Sequence, residues 1–357
     1  MQLDSFLSVS ARRHRLVEST IQPDDGQSAF SSSVPGNCRE ILAQYSQPDI
    51  GKSVRQLSSS LVPFVLLWAL MCVSLEYSYW VTILLALPTA GFLVRLFVLQ
   101  HDCGHGSFFV SKTANDVVGC ALGVLTLTPY YRWRKHHAIH HATSGDLDRR
   151  GHGDVHILTV EEYLRLAPLK RLAYRVHRNP LVLFVLGPFV YFVITQRFAF
   201  YESRLWKKER ANVYWSNLAL LACVLAMWWF IGLQQFLLVH LPVVALATSA
   251  GVWLFYVQHN FSATYWQHHD RWDYFAAGTL GSSYYHLPKV LQWITANIGL
   301  HHIHHLDSRI PNYRLQQCFD ENPEFQSVNR FTLWDSLSCG SVKLWDEDKA
   351  RMVGFPK

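Results

Sequence analysis

Charged residues are scarce in this chain. Asp, Glu, Lys and Arg make up 16% of its 357 residues, whereas 50% of the residues are hydrophobic and 14% are aromatic. Soluble domains carry roughly 25% charged residues. The composition therefore favours one membrane-embedded unit, although the length alone would allow two soluble domains.

Paired cysteines and a secretory signal are also missing. The seven cysteines are spread along the chain without a C-x-x-C pair, which argues against a disulfide framework or a thiolate zinc site. Residues 1–20 lack an apolar run followed by a small-residue cleavage site. We therefore expect no secretory signal, and we expect the functional site to face a reducing, cytosolic environment.

Long apolar runs are present in place of charge. A bilayer core of about 30 Å needs about 20 helical residues to cross it. Residues 57–75, 80–100, 213–232 and 236–257 meet this length, and the last two lie in a stretch, 211–258, without Asp, Glu, Lys or Arg. Short turns join them into two hairpins, and Arg95 is expected to snorkel towards the membrane surface.

Two weaker apolar segments lie between the hairpins. Residues 117–128 are too short to cross a bilayer at about 1.5 Å per residue, and residues 181–195 are interrupted by Gly187-Pro188. Irregular backbone at membrane depth needs protein around it. Either segment is therefore expected to be re-entrant or interfacial.

The distribution of positive charge gives an orientation. Eleven Lys and Arg lie in residues 101–180, six in residues 1–57 and nine in the C-terminal tail, whereas the predicted turns 76–79 and 233–235 hold none. The positive-inside rule places both termini and the region between the hairpins in the cytoplasm. A net charge of +6 suits a cytosolic face against anionic lipid and requires no nucleic acid.

These observations predict an all-α integral membrane protein, with two transmembrane hairpins under a cytosolic helical cap. The predicted parts are a cytosolic N-terminal segment at 1–56, the first hairpin at 57–100, a cytosolic or interfacial region at 101–210, the second hairpin at 211–258, and a cytosolic region with the C-terminal tail at 259–357.

Histidines are concentrated at the predicted cytoplasmic side. Ten of the 19 lie in three clusters, "HDCGH" at 101–105, "HHAIHH" at 136–141 and "HHIHH" at 301–305. Positions i and i+4 of a helix share a face, and i and i+3 nearly do. Each cluster should therefore direct two or three rings to one point. The rings are those of His101 and His105, of His137, His140 and His141, and of His301, His304 and His305.

Such a set points to metal binding. Eight imidazoles exceed the four ligands of one tetrahedral zinc and are enough for two ions with open positions. Imidazole binds Zn, Cu, Fe and Ni, so the ligand type alone does not choose the metal. The alternative, ordinary polar residues at a membrane surface, suits isolated histidines such as His14, His177 and His240 better than three clusters with repeated spacing.

The three clusters resemble the histidine boxes of the membrane fatty acid desaturase family. "HDCGHGSFF" is similar to its H-x-x-x-H box, "HAIHH" at 137–141 to its second box, and "HHIHH" at 301–305 to its third. The resemblance extends from about residue 57 to about residue 315. "HDCGH", "HHATSGDLDRRG" and "VQHNFSATYW" are most similar to the Δ12 (ω-6) type acyl desaturases.

This resemblance implies a di-iron centre that uses O2 and two electrons to introduce a cis double bond into the acyl chain of a lipid. It implies the eight box histidines as ligands and one further histidine before the third box. Within "FYVQHNFSATYWQHHD" we choose His259, because it follows the fourth span as His101 follows the second. His268 and His269 are expected at the surface.

Several neighbouring residues are left with open roles. His136 and His302 are expected beside the ligands rather than among them, and His286 has no assigned role. Asp102 and the acidic residues of "GDLDRRGHGD" (145–154) have two possible roles. They either accept the second ring N–H of ligand histidines, or, in the case of Asp146 and Asp148 with Arg149 and Arg150, form a solvated loop with local ion pairs.

The electron source should be a separate protein. The chain has neither the H-P-G-G haem signature of a fused cytochrome b5 domain nor a G-x-G-x-x-G motif for a nicotinamide or flavin. A donor of the ferredoxin or cytochrome b5 type is implied. Arg132, Arg134 and Lys135, next to the second box, are predicted to form its docking site.

Two other functions remain possible from the sequence. An acyl or carotenoid hydroxylase or ketolase of the same architecture would share the first hydrogen abstraction, and product analysis separates it from a desaturase. A metal transporter would place ionisable residues along a path through the spans. The first hairpin has only Arg95 and the second only His240 as such residues.

Overall fold

The computed structural model describes residues 37–200 and 202–356. Residues 1–36 lie outside the described part. They include most of the predicted N-terminal segment, His14, and the stretch in which we expect no secretory signal. The helices in chain order are α1 (Cys38–Ala43), α2 (Ile50–Ser74), α3 (Tyr79–His105), α4 (Lys112–Leu125), α5 (Tyr130–Thr143), α6 (Val160–Arg165), α7 (Pro168–His177), α8 (Gly187–Val193), α9 (Lys207–Ile231), α10 (Leu233–His259), α11 (Tyr274–Leu280), α12 (Lys289–Ile294), α13 (His301–Leu306) and α14 (Asn312–Glu321).

Four of the helices in the described ranges, α2, α3, α9 and α10, are long and apolar enough to cross a membrane. They form two hairpins, α2 with α3 and α9 with α10, which confirms the predicted all-α membrane fold. α3 packs against both α2 and α10. Buried apolar side chains such as Leu96, Leu99 and Val243 fill the space between them.

The first hairpin extends beyond the lipid at the end that carries the histidines. α2 begins at Ile50, before the predicted span, because the Asp49 carboxylate accepts the Lys52 backbone N–H at 2.9 Å and caps the helix. α3 runs to His105 and is ended by Gly106, whose φ of 73° lies in the left-handed region that glycine adopts without strain. The last turns of α3 therefore stand above the membrane with the first histidine box.

The second hairpin turns on a single residue. The sequence placed the turn at residues 233–235, but these residues form the first turn of α10. Gly232 alone joins the two helices with φ 86° and ψ 145°, a conformation that only glycine adopts readily. The 27 residues of α10 span about 40 Å, which carries its last residue, His259, beyond a hydrocarbon core of about 30 Å.

Arg95 does not snorkel as expected. Its side chain is buried, at 3% exposure, and donates to the Ser60 hydroxyl at 2.9 Å and to the carbonyl of Trp293. The guanidinium also lies 4.1 Å from the centre of the Trp293 ring. The prediction was wrong because α12, distant in sequence, packs against α3 at this level and supplies partners inside the protein.

The two weaker apolar segments take different forms. α4 has 14 residues, or about 21 Å, and packs against α3 without being long enough to span. The second segment is not broken at Gly187-Pro188, because a π-helical turn, Val182–Leu186, leads directly into α8. Pro188 has no N–H and would collide with a carbonyl of a regular preceding turn, and the wider turn avoids this. With α7 this segment forms a pair bent by 59°.

The remaining elements form a cap over the ends of α3 and α10. It contains β1 (Tyr284–Tyr285) parallel to β2 (Arg330–Phe331), and β3 (Leu344–Asp346) antiparallel to β4 (Arg351–Val353). The Tyr256 hydroxyl on α10 donates to the Val342 carbonyl at 2.9 Å, and the buried Arg178 donates to that hydroxyl at 3.0 Å. These bonds hold the C-terminal tail on the second hairpin.

The two-hairpin arrangement predicts that both tight turns lie on the side opposite to the cap. Tyr77→Cys, in the first turn, and Gln234→Cys, beside the second, should react with a membrane-impermeant maleimide from one side only. Asp348→Cys, in the β3–β4 turn, should react from the other side. The measurement is labelling of sealed vesicles before and after permeabilisation, with the unmodified chain as the control for its seven native cysteines. Labelling of Gln234→Cys and Asp348→Cys from the same side would contradict the arrangement.

Candidate metal centre

The nine histidines singled out in the sequence lie together where the ends of α3, α5, α10 and α13 meet. Among the described residues they form two groups of ring nitrogens, each with its ligand atoms within 4.8 Å of one another. The first histidine group consists of His101, His105, His137, His141 and His304, and the second consists of His140, His259, His301 and His305.

The second and third boxes are each divided between the groups. His137 and His141, at i and i+4 on α5, point into the first group, whereas His140 points into the second. Successive residues of a helix are about 100° apart, so His140 and His141 cannot face the same point. The third box divides in the opposite sense, because His301 and His305 join the second group and His304 joins the first. The expectation that each box serves one point therefore holds for the first box, His101 and His105, and was wrong for the second and third.

The ring nitrogens are spaced as neighbouring ligands of one ion would be. Two nitrogens bound at about 2.1 Å and at right angles to each other lie about 3.0 Å apart. The Nε2–Nε2 distances are 3.1 Å for His137–His141, 3.0 Å for His141–His304, 3.2 Å for His140–His259, 2.9 Å for His259–His301 and 3.1 Å for His301–His305. The two groups are adjacent, with the rings of His141 and His305 stacked at 4.2 Å between centroids.

The hydrogen-bond partners of two histidines suit a cation in the second group. His140 Nδ1 lies 2.5 Å from the Asp154 carboxylate, and His259 Nδ1 lies 3.1 Å from the Gly281 carbonyl oxygen. A carboxylate and a carbonyl oxygen only accept, so both Nδ1 atoms donate, and in the tautomer that these bonds select both Nε2 atoms present lone pairs. Those two lone pairs face each other at 3.2 Å. A shared metal ion satisfies both, and the residues therefore fit such an ion.

The first group is oriented in the same way. His101 Nδ1 donates to one oxygen of Asp102 at 3.1 Å, as the sequence suggested. The other Asp102 oxygen accepts the backbone and side-chain N–H groups of Asn312, both at 2.8 Å, and the Asn312 side chain accepts from Gln56 at 2.6 Å. His101 Nε2 and His105 Nε2 are buried and have no hydrogen-bond partner among residues 37–200 and 202–356. These nitrogens are thus available to a metal.

The protonation state also suits metal binding. Burial, reinforced by neighbouring histidines, lowers the pKa of five rings of the cap well below the usual value, so they are neutral at pH 7 and can act as ligands. These rings are His137, His141, His301, His304 and His305. His268 behaves in the opposite way, because its hydrogen bond to Asp148 raises its pKa.

The acidic run 145–154 serves both of the roles that the sequence left open. Asp154 accepts from His140, inside the site. Asp148, by contrast, is exposed and lies 2.9 Å from His268 Nδ1, whereas Asp146 is buried and lies 2.8 Å from His269 Nδ1. His268 and His269 therefore pair with this loop, as expected for residues outside the centre.

The remaining histidines near the boxes have protein partners. His136 Nε2 lies 3.0 Å from both oxygens of the Glu202 carboxylate. His302 Nε2 donates to the Phe325 carbonyl at 3.0 Å, and burial lowers its pKa to about 4. His286, beside β1, belongs to neither histidine group.

The predicted basic docking site is wrong in one member. Arg132 is buried, and its guanidinium donates to Glu202 at 2.6 Å and to Gln196 at 2.9 Å. Arg134 donates to Asp116 at 2.8 Å. Of the three predicted residues, Lys135 is the one whose side chain is exposed. A cation beside a histidine box can thus be part of the internal packing, and sequence alone does not distinguish the two cases.

Sequence reasoning missed the aromatic walls of the centre. Trp133 stacks on His137 at 4.5 Å and 21°, and Phe255 lies 5.2 Å from the His140 ring and 5.1 Å from the His259 ring. The i, i+4 spacing from Trp133 to His137, and from Phe255 to His259, is a helical signal that could have identified both. The Gly281 carbonyl gives no such signal, because any residue supplies a carbonyl.

Comparison with known proteins places this site in a family. A family model described as Fatty acid desaturase matches residues 78–335. A "Fatty acid desaturase" of Bacillus subtilis (strain 168) is 46% identical over 314 residues, which cover 88% of this chain and 89% of that protein. The "sn-1 acyl-lipid omega-3 desaturase (ferredoxin)" of Synechocystis sp. is 31% identical, with 62% of each chain covered.

A plant relative extends the comparison. The "Acyl-lipid omega-3 desaturase (cytochrome b5), endoplasmic reticulum" of Arabidopsis thaliana is 30% identical, over 62% of this chain and 58% of that protein. The region matched by the family model contains the three histidine boxes and three of the four candidate spans, α3, α9 and α10. The chain belongs to the fatty acid desaturase family of oxidoreductases.

Proposed function

We propose that each histidine group holds one iron ion, and that the enzyme uses O2 and two electrons to introduce a cis double bond into the acyl chain of a membrane lipid, at the Δ12 (ω-6) position. The observation that carries the proposal is the pair of lone pairs on His140 and His259, which face each other at 3.2 Å and call for a shared cation. The proposed reaction balances as R–CH2–CH2–R′ + O2 + 2 e⁻ + 2 H⁺ → R–CH=CH–R′ + 2 H2O.

The ligands proposed for one ion are the first histidine group and those for the other are the second. When bound, two iron ions supply the oxidising power that the removal of hydrogen from an unactivated methylene requires. Their proposed ligands are His101, His105, His137, His141 and His304 for the first ion, and His140, His259, His301 and His305 for the second.

Residues around the ligands fix the direction of three of the nine rings, His101, His140 and His259. Asp154, the Gly281 carbonyl and Asp102 each hold one Nδ1 proton, which leaves the Nε2 lone pair directed into the centre. Trp133 and Phe255 pack on the ligand rings and keep water from the flanks of the site. The chain thus presents nitrogen ligands between aromatic walls.

The position of the groups suits a lipid substrate. His105 and His259 are the last residues of two membrane-crossing helices, so the centre stands at the membrane surface. An acyl chain can therefore approach from the bilayer without leaving an apolar environment. From the excess of Lys and Arg on this side we propose that the centre and both termini face the cytoplasm.

The two electrons are proposed to come from a separate carrier. The names of the relatives include a ferredoxin-dependent and a cytochrome b5-dependent enzyme. A donor of one of these types would meet a basic face on which Lys135 and Arg149 are exposed. Opposite charges on two partners speed their encounter, which suits an acidic donor.

The product test decides between a desaturase and a hydroxylase of the same architecture. Expression in a host that makes only saturated and monounsaturated lipids should produce new dienoic acyl chains with the second double bond at Δ12. Gas chromatography with mass spectrometry of derivatised lipids measures the bond position, and the His304→Ala protein is the inactive control. Hydroxy or keto acids in place of dienes would contradict desaturation, and a bond elsewhere would contradict the Δ12 assignment.

The division of the third box predicts the effect of neighbouring substitutions on metal content. The wild-type protein should contain about two iron ions per chain. His304→Ala removes a ligand of the first group and His305→Ala a ligand of the second, so each should lose mainly one ion and all desaturation. Metal analysis of the purified protein measures both losses.

The matched control lies within the same helix. His302 is buried like its neighbours but donates to the Phe325 carbonyl, outside both groups. His302→Gln retains a donor and should retain both ions. Equal iron loss in the His302 and His304 variants, or full iron in His304→Ala and His305→Ala, would refute the proposed ligand sets.

Asp154 is predicted to act through His140. Asp154→Asn can place its amide N–H against Nδ1, which would favour the wrong tautomer and turn the His140 lone pair away from the centre. Loss of such a partner typically lowers metal affinity by about 10- to 100-fold. Competition with a chelator should show this loss in Asp154→Asn, whereas Asp148→Asn, in the exposed part of the same loop, should bind iron as the wild type does. Unchanged affinity in Asp154→Asn would show that the bond does not orient the ligand.

A further inference from the structure

A groove of about 370 Å³ lies between α4, α5 and the first half of α9, one of the four described helices long and apolar enough to cross a membrane. Val124 of α4, Tyr131 of α5, and Trp215 and Ala219 of α9 contribute to its walls. Its lining is mostly apolar, with Lys208 at one end. None of the nine histidines contributes to it, so the groove is separate from the proposed reaction site.

The groove has the depth of one bilayer leaflet. Lys208 and Ala219 are both on α9, which rises about 1.5 Å per residue, so the groove extends about 17 Å along the helix. Half of a hydrocarbon core of about 30 Å is about 15 Å. An acyl chain of one leaflet therefore matches the groove in length.

The Lys208 end of the groove fits the membrane surface, because the uncharged stretch 211–258 begins just beyond it. Phe200 and Leu205, just before α9, are 74% and 88% exposed, which is typical of side chains that enter the interfacial region of a bilayer. The Lys208 ammonium lies 3.6 Å from the centre of the Tyr131 ring, which holds it over the mouth of the groove. Basic residues at the membrane surface beside grooves between helices bind anionic lipid head groups.

We propose that this groove binds an anionic phospholipid, with an acyl chain along α9 and the phosphate at Lys208. The lipid would connect α9 to α4 and to α5, the helix that carries the second histidine box. Because Tyr131 donates its backbone N–H to the Asn212 side chain at 2.9 Å, α5 and α9 are already joined at the floor of the groove. The bound lipid adds apolar contacts above that bond and stabilises the position of α5.

The test compares two lipids on the purified full-length protein. Phosphatidylglycerol and phosphatidylcholine are added separately to the protein in detergent, and bound lipid is counted by native mass spectrometry while thermal unfolding is followed. The wild type should retain phosphatidylglycerol in preference to phosphatidylcholine and should unfold at a higher temperature when phosphatidylglycerol is bound.

Lys208→Ala should weaken phosphatidylglycerol binding about fivefold, the effect of one cation at a lipid surface, and leave phosphatidylcholine binding unchanged. Ala219→Leu, which fills the groove, should weaken the binding of both lipids.

Lys207→Ala is the matched control. Lys207 is also exposed at the start of α9 but does not line the groove. Its removal changes the net charge as Lys208→Ala does, so it should leave the preference for phosphatidylglycerol intact. An equal loss of phosphatidylglycerol binding in Lys207→Ala and Lys208→Ala would indicate an effect of non-specific surface charge and would overturn the proposal. Wild-type lipid preference in Lys208→Ala would do the same.

Discussion

Buried imidazole nitrogens that face one another are the constraint on which this structure depends. His140 and His259 have their Nδ1 protons committed to Asp154 and to Gly281, so their Nε2 lone pairs meet at 3.2 Å. A buried polar atom without a partner costs about 1–3 kcal/mol, and two facing lone pairs add repulsion. A cation between the rings is the simplest arrangement that satisfies both nitrogens. In the same group, the Nε2 atoms of His301 and His305 also lie close to other ring nitrogens. The ring nitrogens of the first group are crowded together in a similar way.

The membrane anchor supports this arrangement because it is longer than the membrane. α3 and α10 each have 27 residues, more than the roughly 20 needed to cross, and both end in a histidine of the centre. Gly106 stops α3 immediately after His105. The two helices pack against each other, so the first box and His259 are positioned by rigid elements rather than by loops. α5 and α13 then supply the other two boxes from the cap.

Sequence and structure disagree mainly where a side chain finds a distant partner. Four spans could be predicted, because apolar length is a local property that the bilayer thickness fixes. Arg95 and Arg132 could not be placed, because their partners, Trp293 and Glu202, come from segments that the fold brings near. The same reason explains Asp154, which was one of several carboxylates in its loop until the fold placed it against His140.

The sequence by itself determined the membrane class, the two hairpins and eight of the nine histidines that come together, whereas the ninth, His259, was chosen through the resemblance to the family. Apolar run length and the i, i+4 repeat are written in the chain and need no knowledge of distant contacts. Only the tertiary structure decided how those histidines divide into two groups. His140 lies in the second group although the rest of its box lies in the first, and His304 lies in the first group although the rest of its box lies in the second. The division depends on the angles at which α5 and α13 meet α3 and α10, and those angles result from packing between helices far apart in the sequence.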